Sequence, residues 1–264
     1  MLPDFEIITH RFEKNEDITV IPVGDVHLGA ALVMEDEFQE FIEKVSRTPN
    51  TYLLLLGDLL DNGIKNSVSS VYKQKYMPSQ AKRMMTEMLK PAKDRVLAAV
   101  MGNHCRRSLR EVDDDMMLDI CYNLGIEHLY RENVAFVKIQ LGNHDKTCNS
   151  GAYNPTYMLV VTHGAGGGML TGGTVNRAER YGYAIDGADA IILGHSHRPW
   201  TTQAGKIFID ARNNKVSIKP FKVISASSWL QYGGYAAAGM MLPTSYTKTK
   251  LILCGDHKEM KVSM

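Results

Sequence analysis

Five short groups of residues along this chain of 264 carry side chains that can hold a metal ion or move a proton. They are Asp25-Val26-His27, Asp58-Leu59-Leu60-Asp61, Asn103-His104, His163 and His195-Ser196-His197. Carboxylate, amide and imidazole donors suit Mn, Fe, Zn and similar divalent ions. No cysteine lies among them, which argues against a structural zinc knot. Asp25, His27, Asp58, Asn103, His163, His195 and His197 make too many ligands for one ion. They suit two ions that share a bridging carboxylate.

Each group directly follows an apolar run of strand length: "ITVIPV", "TYLLLL", "RVLAAVM", "YMLVV" and "ADAIIL". These runs do not alternate, as expected of strands buried on both faces. In α/β sheets ligands bind outside the carboxyl ends of strands, so the five groups can converge on one site. Between the first three runs, "EDEFQEFIEKVSR" (35–47) and "SQAKRMMTEMLK" (79–90) carry apolar residues at helical spacing, which predicts helices. Strand, helix, strand, helix, strand implies right-handed crossovers and an α/β fold. Residues 134–161 read as a hairpin. Beyond residue 200 the chain is strand-rich: "GKIFIDARNNKVSIKP" reads as a hairpin, followed by strands in "FKVISASSWL" and "TKLILCGDHKEMKV". With no repeat and no linker, residues 1–264 are expected to form a single domain.

The bulk numbers fit a soluble globular protein, with 44% hydrophobic and 22% charged residues. No apolar run is long enough to span a bilayer, and no signal peptide is expected from the first residues. The four cysteines form no CxxC pair. A reducing, cytoplasmic location is expected. The net charge of +1 hides an asymmetry: residues 65–110 hold eleven Lys/Arg and two acids, Glu87 and Asp94. Such a stretch either attracts phosphate-rich partners or forms a solvated helix surface.

In their order and wording the five groups resemble the calcineurin-like metallophosphoesterases. That pattern is D-x-H, GD-x-x-D, GNH, an isolated H, and G-H-x-H, and here it extends from Asp25 to His197. The resemblance implies a layered β-sandwich of mixed sheets flanked by helices. It implies one divalent ion on Asp25, His27, Asp58 and His197, a second on Asp58, Asn103, His163 and His195, and Asp58 as the bridge. Manganese is the first choice, with Fe, Zn, Ni or Co as others. It further implies in-line attack on phosphorus by a hydroxide shared between the ions. His104 cannot readily ligate beside Asn103, so it is the candidate to protonate the leaving alkoxide, with Asp61 orienting it.

The triplet GNH occurs twice, at Gly102–His104 and at Gly142–His144. The second matches the family better, because Asp145 follows it, whereas Cys105 follows the first. Context favours the first, which caps an apolar strand, while Asn143–Asp145 falls in the hairpin loop and reads as turn chemistry. Asn62-Gly63 replaces the Arg-Gly of protein Ser/Thr phosphatases, which lowers a phosphoprotein reading. Arg106 and Arg107 either contact phosphate or begin a solvated helix. The Gly-rich "HGAGGGMLTGGT" (163–174) is a backbone approach to phosphate or a long turn. "SWLQYGGYAAAGMML" (228–242) is a base-stacking surface or core.

The sequence therefore predicts a metal-dependent phosphodiesterase, in the manner of the DNA-repair exonuclease branch, acting on a phosphodiester such as DNA or RNA. The alternatives are a phosphomonoesterase, a cyclic-nucleotide hydrolase or a small-molecule pyrophosphate hydrolase on the same centre. A non-catalytic scaffold is disfavoured because every ligand is intact. A homodimer through the Met-rich helix at 79–90 is a further expectation.

Overall fold

The structure is a computed structural model that describes residues 5–65, 67, 71–142, 154–166, 171–243 and 245–264. Its elements run β1 (Ile7–Phe12), β2 (Ile18–Val23), α1 (Glu35–Arg47), β3 (Thr51–Leu55), α2 (Pro78–Leu89), β4 (Val96–Val100), α3 (Cys105–Val112), α4 (Met116–Leu124), β5 (Tyr130–Arg131), β6 (Val134–Leu141), β7 (Thr156–Thr162), α5 (Thr171–Tyr183), β8 (Ala190–Leu193), β9 (Trp200–Asp210), β10 (Lys215–Ser225), α6 (Gly234–Ala238), β11 (Lys250–Leu253) and β12 (Met260–Ser263). They form two six-stranded sheets, in the orders β1-β6-β7-β8-β10-β9 and β12-β11-β2-β3-β4-β5. Both are mixed. β2, β3, β4 and β5 run parallel, as do β7, β8 and β10.

The sheets face each other across one large apolar core. It includes Val23, Leu53, Leu55 and Ala99 from one sheet and Val137, Leu159, Ile192 and Ile224 from the other. α1, α2 and α4 bury Phe38, Ile42, Met85, Leu89 and Ile120 in the same cluster. α5 lies on the other side, against a smaller cluster of Val160, Ile191, Phe221 and Val223. The order of layers is helix, sheet, sheet, helix, which is the α/β sandwich that the family resemblance implied. No helix among the described residues is long and apolar enough to cross a membrane.

The five apolar runs are β2, β3, β4, β7 and β8. Three lie in one sheet and two in the other. Their carboxyl ends meet along one edge of the sandwich. Pro22 sits inside β2, where a proline would cost a ladder bond, but β11 pairs only with Ile18–Val20, so the position has no partner to lose on that side. The same reasoning explains one correction to the sequence reading. "KVSIKP" and "FKVIS" form the single strand β10, which continues through Pro220 because β8 joins it only from Lys222 onward.

Other features escaped the sequence. β1 pairs with β6 at the sheet edge and is half exposed, so it lacks a continuous apolar run. The end of the Gly-rich stretch, Thr171–Thr174, opens α5, while residues 167–170 lie outside the described residues. In "SWLQYGG", Trp229 is core: its ring lies 5.0 Å from both Phe38 and Phe41, so the stacking reading fails for this residue. The methionines of α2 are also core, with Met85 and Met88 buried.

Candidate metal centre

Each candidate side chain leaves its strand through a tight turn. Asp25, His27, Asp58, His195 and His197 all have positive φ, between 48° and 66°. They make up five of the ten non-glycine residues with positive φ among the described residues. That conformation costs about 1–2 kcal/mol per residue, and such strain persists where the surroundings over-determine it. Those surroundings are visible. Asp25 N donates to Gly57 O at 3.1 Å and His27 N to Asp58 O at 3.0 Å, which ties the β2 turn to the β3 turn. His195 N donates to Asp25 Oδ2 at 2.7 Å and ties one sheet to the other.

The glycines before these residues provide room for the carboxylates. A Cβ on Gly102 would collide with the Asp58 carboxylate, and one on Gly194 would lie 2.7 Å from Asp25 Oδ2. The GD, GN and GH dipeptides are thus partly reciprocal: each carboxylate occupies space vacated by a glycine of a neighbouring turn.

The donors fall into two groups joined by one residue. Asp25, His27 and His197 form the first, with His27 Nε2 at 3.1 Å from His197 Nε2 and the latter 3.3 Å from Asp25 Oδ1. Asp58, His163 and His195 form the second, with His163 Nε2 at 3.2 Å from both Asp58 Oδ2 and His195 Nδ1. Asn103 Oδ1 adds a further donor, 2.9 Å from His163 Nε2. Asp58 also clusters with His27 and His104, so its carboxylate lies between the two groups. All seven predicted ligands are therefore brought together.

These residues fit divalent ions. Asp25 Oδ1, 3.3 Å from His197 Nε2, is buried without a hydrogen-bond partner, a cost that a cation held there would offset. His163 Nδ1 donates to Leu56 O at 2.7 Å, which leaves Nε2 as the ligating atom. The electrostatics agree. Burial opposes ionisation of Asp25 and Asp58, but the neighbouring histidines, His197 for Asp25 and His163 for Asp58, outweigh it and hold both carboxyls well below the usual range. Burial likewise opposes charge on His27 and His163. The neighbouring carboxylates of Asp25 and Asp61 raise His27 to about 10, and Asp58 raises His163 to about 9. Without metal, the site holds protons in place of cations.

His104 sits beside this centre as α3 begins. Its Nδ1 donates to Asp61 O at 2.7 Å and lies 3.3 Å from Asp61 Oδ1, while Nε2 is 3.9 Å from Asp58 Oδ2. Asp61 is shared, with Oδ1 also 3.4 Å from His27 Nδ1. Burial opposes its ionisation, but His104, His27 and Gln74 hold its carboxyl far below the usual range. Gln74, which sequence reasoning missed, donates Nε2 to Asp61 Oδ2 at 2.6 Å. Asn62 donates to His104 O at 2.8 Å and to Ser108 Oγ at 2.9 Å, tying the β3 turn to α3. Cys105 is a buried thiol pushed upward by burial, consistent with a small filler.

The two arginines after His104 divide. Arg106 lines a cavity of about 420 Å³ that also borders Asn103, His163 and His195, and it is anchored to Glu132 at 2.6 Å. Arg107 gives its guanidinium to the carbonyls of Asp61 at 3.2 Å and Asn62 at 3.5 Å. The basic stretch 65–110 is also divided: Lys82 pairs with Asp114 and Asp119, and Arg95 lies over Tyr52. The second GNH copy begins at Gly142, beside Pro155, because β6 runs antiparallel to β7. His163 is at the other end of β7, about 20 Å along the strand. Residues 143–145 themselves lie outside the described residues.

No curated protein matches the chain. A solved metallophosphoesterase from Sphaerobacter thermophilus is similar at 12% identity and a TM-score of 0.38, covering 89% of this chain and 83% of that one. The family model for the calcineurin-like phosphoesterases matches residues 18–199, from the start of β2 to just past His197. That span contains all five strand-end groups, and the chain belongs to the calcineurin-like phosphoesterase family of metal-dependent phosphoesterases.

Proposed function

We propose that this phosphoesterase hydrolyses phosphodiesters, with nucleic acid as the favoured substrate class. The observation that carries the reading is the open cleft. From Asn103, His163 and His195 the cavity continues past Arg106 and Arg110 to Asn133 and Tyr181. A diester has a second organic substituent to accommodate, and this space can take it.

Asp25, His27, His197 and, across Asp58, Asn103, His163 and His195 would hold two divalent ions. When bound, these supply Lewis acidity, an activated water and neutralisation of phosphoryl charge. Manganese suits the oxygen and imidazole donors. His104 is the candidate proton donor. With Nδ1–H committed to the Asp61 carbonyl, Nε2 is the atom that presents a proton to the leaving alkoxide. Asp61 keeps that ring in position and balances its charge, and Gln74 and Arg107 in turn fix the carboxylate and carbonyl of Asp61. Arg106, which lines the cavity and pairs with Glu132, is the candidate to contact a non-bridging phosphate oxygen.

The test compares a bis-aryl phosphate diester with the corresponding monoester, with Mn²⁺ present, for the wild type and His104→Ala. The reading expects a diester preference and a large loss of kcat on mutation. A monoester preference would replace it with the phosphomonoesterase alternative.

A further inference from the structure

We infer that the outer part of this cleft is a nucleotide subsite, formed by Arg110 and Tyr181, that binds a single-stranded nucleic acid beside the scissile phosphate. The inference rests on the phosphodiesterase reading and adds to it the recognition of substrate.

Three observations point this way. First, Arg106 and Arg110 lie one helical turn apart on α3 and line the same cavity, so they present two guanidiniums to it. Arg106 is held by Glu132 and Asn133. Arg110 is exposed and has no ion pair or hydrogen bond among the described residues. A cation left unneutralised in a cleft suits a second phosphate. Second, Tyr181 lines the cavity from α5 and is 45% exposed. A half-exposed tyrosine bordering a cavity with two arginines suits base stacking, which is tolerant of sequence. Third, the strip between them is nearly bare backbone, Gly164-Ala165-Gly166, with Gly164 and Gly166 at positive φ. Arg177 packs against Gly166, one turn before Tyr181 on α5. A pocket of about 420 Å³ accommodates one unpaired nucleotide, so a strand must be single or locally opened to enter it.

The experiment uses the full chain with Mn²⁺ and follows cleavage of oligothymidylate alongside that of the bis-aryl diester, which has neither base nor second phosphate. Arg110→Gln is expected to raise KM for the oligonucleotide about tenfold. It should flatten the salt dependence by about 0.7 in log-log slope. The loss in kcat/KM should be at least fivefold larger for the oligonucleotide than for the aryl diester. Tyr181→Leu should show the same bias, with Tyr181→Phe restoring most of the affinity. Lys215→Gln, which removes a charge at the β9–β10 turn outside the cavity lining, should leave both substrates unchanged.

Equal losses on both substrates, or an unchanged KM for the oligonucleotide, would overturn the subsite. If the wild type cleaves neither diester, the phosphodiesterase reading fails. The subsite is then decided by fluorescence anisotropy of labelled oligothymidylate: binding weakened about tenfold by Arg110→Gln upholds it, and no binding by the wild type overturns it.

Discussion

The turn at Gly102–His104 and the end of β6 at Gly142 begin with the same residue types but sit in opposite surroundings. Gly102 ends a strand that runs parallel to β3, so the turn lands beside Asp58: His104 N donates to Asp58 Oδ1 at 2.8 Å. Gly142 ends a strand antiparallel to β7, so it lands at the start of β7, with its N–H on the carbonyls of Phe12 and Lys14. Strand direction, which a three-residue motif does not encode, decides that Gly102 lies beside the metal centre and Gly142 does not. The Asp145 that makes the second copy the better match to the family pattern cannot change where its strand ends.

The contrast is most sharply broken by mutating the two histidines. His104→Ala is expected to lower kcat by about 10²–10⁴-fold with metal content retained, whereas His144→Ala should leave kcat/KM within experimental error. The reverse outcome in steady-state assays would place the chemistry at the wrong end of the sandwich.

The glycines give the next largest difference. In Gly102→Ala the new methyl must displace the Asp58 carboxylate, which its Cβ would overlap. A shift of about 1 Å at a reacting centre costs about 10²-fold, and metal affinity should fall with it. In Gly142→Ala the methyl meets the side chains of Asn15 and Asn154 instead, at φ +83°. That should lower stability by about 1–3 kcal/mol while activity per folded molecule is kept. Thermal melts paired with assays separate the two; a loss of activity in Gly142→Ala at full foldedness would contradict the account.

Gln74→Ala tests a smaller effect. It removes the bond to Asp61 Oδ2 and should reduce kcat about tenfold, as outer-shell partners do. An unchanged kcat would show that the Asp61 carbonyl alone fixes His104.

Protonation sharpens the picture further. His27 at about 10 and His163 at about 9 are charged at neutral pH in the metal-free protein, but imidazole ligates only when neutral. Metal binding at pH 7 should therefore release protons, and affinity should climb as pH rises towards these values. Because both values lie above the unfolded 6.5, their contribution to metal-free stability is full below that pH and is lost as pH rises through about 9–10. Titration calorimetry in buffers of different ionisation enthalpy reads the protons directly. A binding enthalpy independent of buffer would contradict the charge assignment.

Much of the site was legible because its constraints are local. "TYLLLLGDLLD" declares a buried strand, a tight turn and two carboxylates within eleven residues, and burial on both faces removes the ambiguity of alternation. Gln74 and Tyr181 were not legible, since nothing in their neighbourhoods marks them, and Arg110 was only one of eleven bases in the stretch 65–110; they come to Asp61 or to the cavity only through the packing of α3, α5 and the segment before α2. The helix α5 was also missed, and α3 was left as one of two readings of Arg106-Arg107. α3 has only Cys105 and Ser108 buried, and α5 opens with Thr-Gly-Gly-Thr, a sequence with poor intrinsic helix propensity. The division of Arg106 from Arg107 depends on which face of α3 meets Glu132 and which meets Asp61, and sequence order alone does not separate adjacent residues on a helix.

The most direct test of the central claim, a dinuclear centre bridged by Asp58, is the number of manganese ions bound per chain. It would be measured by elemental analysis after equilibrium dialysis of the wild type, Asp58→Asn and His144→Ala. The account expects about two ions in the wild type and in His144→Ala, and strongly reduced occupancy of both sites in Asp58→Asn, as a carboxylate shared between the two clusters requires. Two ions retained by Asp58→Asn, or one lost from His144→Ala, would contradict it.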